Sequence, residues 1–325
     1  MLKTIASEAA RTRGGAATGR AARLWVRFPY FALATVLATY GLIILGGVVR
    51  VTDSGLGCPD WPRCHGQLIP PFERAALIEY SHRLVAMTVG FMVLGTAIGA
   101  WKWYRDRPAV LLPANLALLL LAVQVLLGGA TVNSELDGEL VTAHLGVALA
   151  LLGSLIVVAR QSFTGETSLR GLKGFPALAV VAALAAYAVI LSGAYVRGSG
   201  AGLAFSDWPL FNGKLIAEGG RLAQIHFAHR VAAGAVGIII VLAAVKAWRF
   251  EARPGVVALA GAATLALYAG QVLVGAANVW TELKPVLAVA HLALASALWS
   301  ALVVMAAGAF FVRDQTPAPA LAGAS

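Results

Sequence analysis

Charged residues are scarce in this sequence. They make up 12% of its 325 residues, whereas 59% of the residues are hydrophobic and the mean hydropathy is +0.80. A soluble globular domain carries about 25% charged residues. The composition therefore excludes an ordinary soluble domain and indicates a chain that crosses a membrane several times.

Acidic residues are the scarcer of the two charge types, with 15 Asp and Glu against 25 Lys and Arg and a net charge of +10. An excess of this size can indicate a nucleic-acid-binding surface. Here the basic residues do not form a patch interleaved with aromatic residues. They lie between apolar runs, as cytoplasmic anchors do in membrane proteins, and we therefore expect no nucleic acid partner.

Cysteine is nearly absent, and its two copies, Cys58 and Cys64, lie in one loop. On the outer side of a bacterial or mitochondrial inner membrane this pair can form a disulfide. The disulfide would be either a structural staple or a pair that cycles between thiol and disulfide. A metal site that also uses His65 is a third alternative, although it lacks a fourth ligand.

Long apolar runs occupy most of the rest of the chain. Each has about 20 residues or more, which is enough to cross a hydrocarbon core of about 30 Å as a helix. Helices are required because lipid offers no partner for open backbone groups. We predict an all-α integral membrane protein with eight transmembrane helices, near 28–49, 80–102, 109–132, 139–159, 175–196, 226–248, 256–280 and 286–312.

The positions of Lys and Arg predict the orientation of these helices. Basic connectors follow the second, fourth and sixth runs, so these connectors and both termini should be cytoplasmic. We expect a basic, disordered tail over 1–27, in preference to a transit peptide, and a second tail over 313–325. Two long loops, 50–78 and 197–225, would then lie on the outer side.

The sequence contains an internal repeat, in which residues whose numbers differ by 147 are often identical, through loops and helices alike. Four spans per half make the repeats parallel, related by an axis along the membrane normal. We predict two four-helix bundles, 28–160 and 175–312, joined by a cytoplasmic linker over 161–174. Matched positions include Arg50 and Arg197, Asp60-Trp61-Pro62 and Asp207-Trp208-Pro209, His82-Arg83 and His229-Arg230, Gln124 and Gln271, Gly128 and Gly275, and His144 and His291.

Histidines occur as a pair in each half, one near the outer end of its second helix and one near that of its fourth. Two imidazoles that face each other across a four-helix bundle are typical ligands of a membrane heme, one on each iron face. Zinc fits poorly, because two ligands leave a tetrahedral site incomplete. Arg83 and Arg230 follow the second-helix histidines and suit the carboxylates of heme propionates. The pairs are His82 with His144 and His229 with His291.

One acidic residue accompanies the first pair. Glu79 lies three residues before His82, so both side chains fall on about the same helix face. A carboxyl group beside a heme edge in a low-dielectric site can accept or donate a proton; the alternative is a solvated interfacial carboxylate. In the second half His226 stands at the matched position, and phenylalanines replace both cysteines. The halves therefore share a scaffold and differ in chemistry.

Several of these features together resemble the heme A synthase family. They are the cysteine loop with its Asp-Trp-Pro, the Glu-x-x-His-Arg at the start of the second helix, the x-His-Arg at the start of the sixth, and His144 and His291. The resemblance extends over about 28–312. It implies an enzyme that oxidises the C8 methyl group of heme O to the formyl group of heme A, for terminal oxidases.

The resemblance also implies a role for most of the candidate residues, although it assigns none to His226. It implies that the N-terminal half receives the substrate heme O and that the C-terminal half keeps a heme b with its iron as cofactor. The implied sites are His82 and His144 for heme O, Glu79 as catalytic acid or base, His229 and His291 for heme b, and Cys58 and Cys64 for reductant or electron transfer.

Two other functions compete with this interpretation. A diheme b-type electron carrier or quinol oxidoreductase would also use two histidine pairs, but it has no need of a carboxylate and cysteines in one half only. A transporter would place ionisable residues near the bilayer midplane, whereas here they cluster at the outer ends.

The expected location and partners follow from the enzyme interpretation. The location is the bacterial cytoplasmic membrane, with the mitochondrial inner membrane as the alternative. Besides heme O and membrane lipid, the expected partners are the farnesyltransferase that makes heme O, a quinol or other redox partner, and a further copy of the chain.

Overall fold

The computed structural model describes residues 2–164, 167–250 and 255–313, with side chains for 27–164, 168–250 and 255–311. Eight helices in this part of the chain are long and apolar enough to cross a membrane, which confirms the predicted number of spans. The helices are α1 (Leu2–Val51), α2 (Arg74–Trp103), α3 (Pro108–Asn133), α4 (Gly138–Phe163), α5 (Phe175–Gly198), α6 (Arg221–Phe250), α7 (Val256–Trp280) and α8 (Pro285–Phe310).

Local sequence explains where several helices begin. Pro108, Pro176 and Pro285 lie in the first turns of α3, α5 and α8, where the missing N–H is unneeded and the fixed φ suits the helix. The side chain of Asp137 caps α4 by accepting from the backbone N–H of Glu139 and Leu140, a role that favours this residue type.

Within each half the helices form a four-helix bundle in chain order. α2 packs against α1 and α3, and α4 packs against α3 and α1; α5 to α8 repeat this arrangement. The halves meet through α4 with α8, α1 with α8 and α4 with α5. The packing is therefore that of two repeat bundles side by side, as predicted.

Two matched hydrogen bonds cross the interface between the halves and show that the halves are related by an approximate two-fold axis. The hydroxyl of Tyr40 on α1 donates to the carbonyl of Ala293 on α8, at 3.1 Å. The hydroxyl of Tyr187 on α5 donates to the carbonyl of Gly146 on α4, at 2.9 Å. The two tyrosine donors are related by the offset of 147, and so are the two acceptor residues. The repeat in the sequence is therefore also a repeat in space.

Two details differ from the sequence-based expectation. The tail expected to be disordered over 1–27 continues the first span as part of α1 over 2–27. This stretch is rich in alanine and arginine, which favour helix, and the sequence contains no proline before Pro29. In the linker, the strand β1 (Thr167–Leu169) pairs antiparallel with β2 (Phe311–Arg313) and ties the linker to the end of α8. The predicted tail beyond Arg313 lies outside the described residues.

Candidate functional site

The four paired histidines lie at one end of the two bundles. His82 and His144 lie near the starts of α2 and α4, which run in the same direction, and His229 and His291 repeat this on α6 and α8. All four side chains are half-buried. Within each half the two imidazoles are near enough to interact electrostatically. The structure therefore brings together the residues that the sequence pairs.

A glycine of a neighbouring helix faces each of these imidazoles. A Cβ atom at the glycine that faces His229 would force the ring to shift, and at the other three positions it would be in tight or ordinary contact with the ring. Sequence reasoning did not assign this role, although the four glycines also obey the offset of 147. A Cβ atom built on the glycine would lie 3.3 Å from the ring for Gly46 and His82, 3.5 Å for Gly128 and His144, 2.9 Å for Gly193 and His229, and 3.1 Å for Gly275 and His291.

Each fourth-helix histidine has one polar neighbour, a glutamine on the third helix of the same half. The Nε2 atom of Gln124 lies 3.0 Å from Nε2 of His144, and that of Gln271 lies 3.2 Å from Nε2 of His291. The Nδ1 atom of each histidine is buried and has no hydrogen-bond partner among the described residues. A buried polar atom without a partner costs about 1–3 kcal/mol, so each half holds imidazole nitrogens with unused capacity for a ligand.

Glu79 is buried inside the protein, not solvated at the interface. It is 4% exposed, and its Oε2 atom accepts a hydrogen bond from the backbone N–H of Cys58 at 2.7 Å. Its Oε1 atom accepts from the guanidinium of Arg83 at 2.5 Å. This carboxylate therefore links the start of α2 directly to the cysteine loop.

The two cysteines form a disulfide. The Cα atoms of Cys58 and Cys64 lie 4.5 Å apart, and both side chains are fully buried. The alternative of a metal site with His65 is wrong: the thiols are bonded to each other, and the Nε2 atom of His65 lies 3.0 Å from the carbonyl oxygen of Gly57. In the described part of the chain, no group of three His, Cys, Asp or Glu residues is placed to hold a metal ion.

The aspartates of the two Asp-Trp-Pro segments have a structural role in the long loops. The carboxylate of Asp60 accepts from the backbone N–H groups of Gly66 and His65, and that of Asp207 accepts from Gly213 and Asn212. These N–H groups, with that of the glycine contributing most, hold the pKa of each aspartate below its ordinary value. The aspartates therefore stay ionised and fold the loop back on itself.

Arg83 fastens the first long loop to α2. Its Nη1 atom donates to the carbonyls of Asp60 and Arg63, and its Nη2 atom donates to the carbonyl of Cys58 as well as to Glu79. A planar guanidinium is suited to this task because it offers several donors in a fixed fork.

Arg230 makes the matched contacts in the second half. Its Nη1 atom donates to the carbonyls of Asp207 and Leu210. Its Nη2 atom is buried and has no hydrogen-bond partner among the described residues. This arginine therefore has a donor available to a propionate, whereas both terminal nitrogens of Arg83 are engaged. Propionate contacts by either arginine stay predictions.

The second half replaces the carboxylate and the disulfide with an aromatic cluster. The Nε2 atom of His226 accepts from Nε of Arg230 at 3.1 Å. The ring of Phe205 lies 5.4 Å from the His226 ring and 5.0 Å from that of Phe211. His226 is buried here as a loop anchor, which supplies the role that the sequence did not indicate.

Comparison with known proteins identifies the family and the named proteins that this chain resembles. The family COX15-CtaA, described as cytochrome oxidase assembly protein, matches residues 29–76 and 71–303. A protein of Geobacillus thermodenitrificans named heme A synthase is 33% identical over 283 residues, covering 84% of this chain and 88% of the relative. Proteins with the same name from Halalkalibacterium halodurans and Bacillus licheniformis are 34% and 28% identical over 216 and 277 residues, covering 64% and 82% of this chain and 72% and 91% of those relatives.

Proposed function

The chain belongs to the COX15-CtaA family of cytochrome oxidase assembly proteins, and from this premise we propose that it is an oxidoreductase that converts the C8 methyl group of heme O to the formyl group of heme A. It is a heme A synthase, an enzyme that acts on heme, with heme O as its substrate. The observation that supports the proposed reaction is an asymmetry. Both halves hold a histidine pair faced by glycines, but among the residues that the structure describes only the first half has a buried carboxylate and a disulfide.

The residues present fit a heme in each half. Two imidazoles can bind the two faces of one iron, and the facing glycines leave the space beside the rings free of side chains. The buried Nδ1 atoms of His144 and His291 have no partner among the described residues. A heme would use ring nitrogens that the protein alone leaves partly unsatisfied.

We assign the two hemes to different halves. His82 and His144 would hold heme O, because Glu79 lies one helical turn from His82 on the same helix. His229 and His291 would hold heme b, in the half without a comparable carboxylate. Heme b, when bound, would supply one-electron transfer to and from the first half.

Glu79 would act as the acid or base of the reaction. Conversion of a methyl group to a formyl group removes four electrons, and with water as the source of oxygen it releases four protons. A buried carboxylate near the reacting carbon can accept such protons. Its present partners, Cys58 N–H and Arg83, would hold it in a single position until the substrate is bound.

The protein is a multi-pass protein of a bacterial membrane. We propose that both termini are cytoplasmic, since the basic connectors lie on that side. The histidine pairs and the disulfide loop would then face the outer side. The partners consistent with this arrangement are a farnesyltransferase that supplies heme O, a quinol or other redox partner, and a further copy of the chain.

The test of the function is chemical analysis of the bound hemes. The protein would be expressed with a heme O-producing enzyme and purified, and the extracted hemes would be identified by chromatography and mass spectrometry. Heme A, with hydroxylated heme O and heme b, is the expected result. Heme b alone, with spectra of two bis-histidine sites, would overturn the proposal in favour of the diheme electron carrier.

Glu79→Gln tests the catalytic assignment. Glutamine retains an oxygen that can accept from Cys58 N–H, so the fold and heme content should persist while heme A formation is lost. Glu218→Gln is the matched control, because Glu218 is exposed and pairs only with Lys214. Heme A formation at the normal rate in the Glu79 variant would remove this residue from the mechanism.

A further inference from the structure

In the described part of the chain, the two histidine pairs differ in one hydrogen-bonding partner. That partner is Ser192 on α5, which contacts a histidine of the second half only. Its Oγ atom lies 2.7 Å from Nδ1 of His229, whereas the residue at the matched position in the first half is Leu45. We propose that Ser192 is a positioning residue that makes the second half retain its heme, and that Leu45 leaves His82 free to release one. This inference rests on the function proposed above.

The hydrogen bonds of Ser192 favour one tautomer of His229. A serine hydroxyl has one proton to donate, and that of Ser192 is donated to the carbonyl of Val189 at 2.8 Å. With its proton donated to Val189, the Oγ atom accepts from His229, and the ring then carries its proton on Nδ1. The lone pair of His229 is then on Nε2, the nitrogen that remains for an iron atom.

Gly193 completes the support of this ring. A Cβ atom at Gly193 would lie 2.9 Å from Cε1 of His229, closer than real Cβ contacts come. The absence of a side chain at Gly193 lets the imidazole approach α5 closely enough for Ser192 to reach it. Adjacent residues of α5 thus provide the space and the hydrogen bond.

The first half provides the space without the hydrogen bond. Gly46 faces His82 as Gly193 faces His229, but the side chain of Leu45 has no polar atom. Among the described residues, His82 has no side-chain hydrogen bond that would select a tautomer or restrain its ring.

The remaining ligands do not share this difference. His144 and His291 each lie beside a glutamine of the preceding helix and have a glycine opposite the ring. The asymmetry of the ligand surroundings is therefore concentrated at the second-helix histidine.

The expected consequence is a difference in how long each half keeps its heme. A partner that accepts the second ring N–H of a histidine ligand fixes the ring and raises the basicity of the ligating nitrogen, and losing such a partner typically costs about 10–100-fold in metal affinity. A cofactor should remain bound through many turnovers, whereas a product must leave. Ser192 at one site and Leu45 at the other meet these opposite requirements.

The experiment compares heme loss from purified protein in detergent, with excess apomyoglobin as the heme acceptor. Ser192→Ala should release heme b about 10–100-fold faster than the parent protein and should raise its midpoint potential, because a less basic imidazole stabilises ferric iron less well. Leu45→Ser should slow release of heme from the first half. Ser192→Thr, which keeps the hydroxyl, should restore both properties.

Ser199→Ala is the matched control. Ser199 also donates to a carbonyl three residues earlier, that of Val196, but it has no histidine partner, so its loss should change neither the release rate nor the potential. Unchanged release and potential in Ser192→Ala, with heme b still lost from His229→Ala, would overturn the role of Ser192 and leave the proposed function standing. Retention of heme b in His229→Ala would instead overturn the heme assignment of the proposed function.

Discussion

Removal of the Arg83 guanidinium should loosen the disulfide loop of the first half. Arg83→Met keeps most of the length of the side chain and removes every donor. Three loop carbonyls and the carboxylate of Glu79 would lose their partner at once. Glu79 would then be a buried charge that keeps the hydrogen bond from Cys58 N–H but has no cation beside it.

The magnitude follows from the burial of the ion pair. Removing one partner of a fully buried ion pair costs about 3–5 kcal/mol. The side chains of Arg83 and Glu79 are 17% and 6% exposed, so water can partly replace the guanidinium and we take the lower end, about 3 kcal/mol. Since about 1.4 kcal/mol corresponds to a factor of ten, the population of the opened loop should rise by about 100-fold.

The assay is the rate at which dithiothreitol reduces the disulfide, followed by alkylation and mass spectrometry. Cys58 and Cys64 are fully buried, so reduction must pass through an opened loop, and its rate reports the population of that state. We expect reduction about 100-fold faster in Arg83→Met.

Arg230→Met is the control for the Arg83 experiment, because it removes the matched guanidinium in the half without the disulfide and should leave the rate unchanged. Addition of Glu79→Gln to Arg83→Met should recover part of the loss, since a neutral amide needs no cation. Equal reduction rates for the parent protein and Arg83→Met would refute the argument that this arginine holds the loop closed.

Two further substitutions test the packing around the site and between the halves. Gly193→Ala should displace His229 and lower the amount of heme b recovered, whereas Gly41→Ala, where nothing lies within 4 Å of the new methyl group, should not; equal heme contents would contradict the close approach. Trp299→Ala should cost about 3–5 kcal/mol, because Trp299 is buried and donates to a carbonyl of α4 in the other half. Thermal unfolding in detergent should show little change for the exposed Trp248→Ala, and matching midpoints would count against this interface.

The architecture could be predicted from the sequence because lipid leaves the backbone few choices. An apolar run of about 20 residues in hydrocarbon must satisfy its backbone groups as a helix, so eight runs gave eight spans. The basic segment 1–27 lay outside this constraint. There composition alone predicted disorder, whereas the structure continues α1 over 2–27.

The candidate site could be predicted only in part. The constant offset of 147 is enough to show that His229 corresponds to His82 and that His291 corresponds to His144, because a repeat preserves the order and spacing of its residues. The same offset also relates the four facing glycines, but a glycine in an apolar helix has no signal of its own. Their role depends on the neighbouring helix, whose histidine ring each of them faces.

The sequence by itself determined the membrane class, the number of spans, the two repeated halves and the residues that differ between them. The tertiary structure alone decided which of those residues touch. The burial of Glu79 against Cys58 and the bond of Ser192 to His229 join residues from separate elements. Such contacts depend on how each helix is rotated and how each loop folds back, which the packing of the whole chain fixes and a local pattern does not.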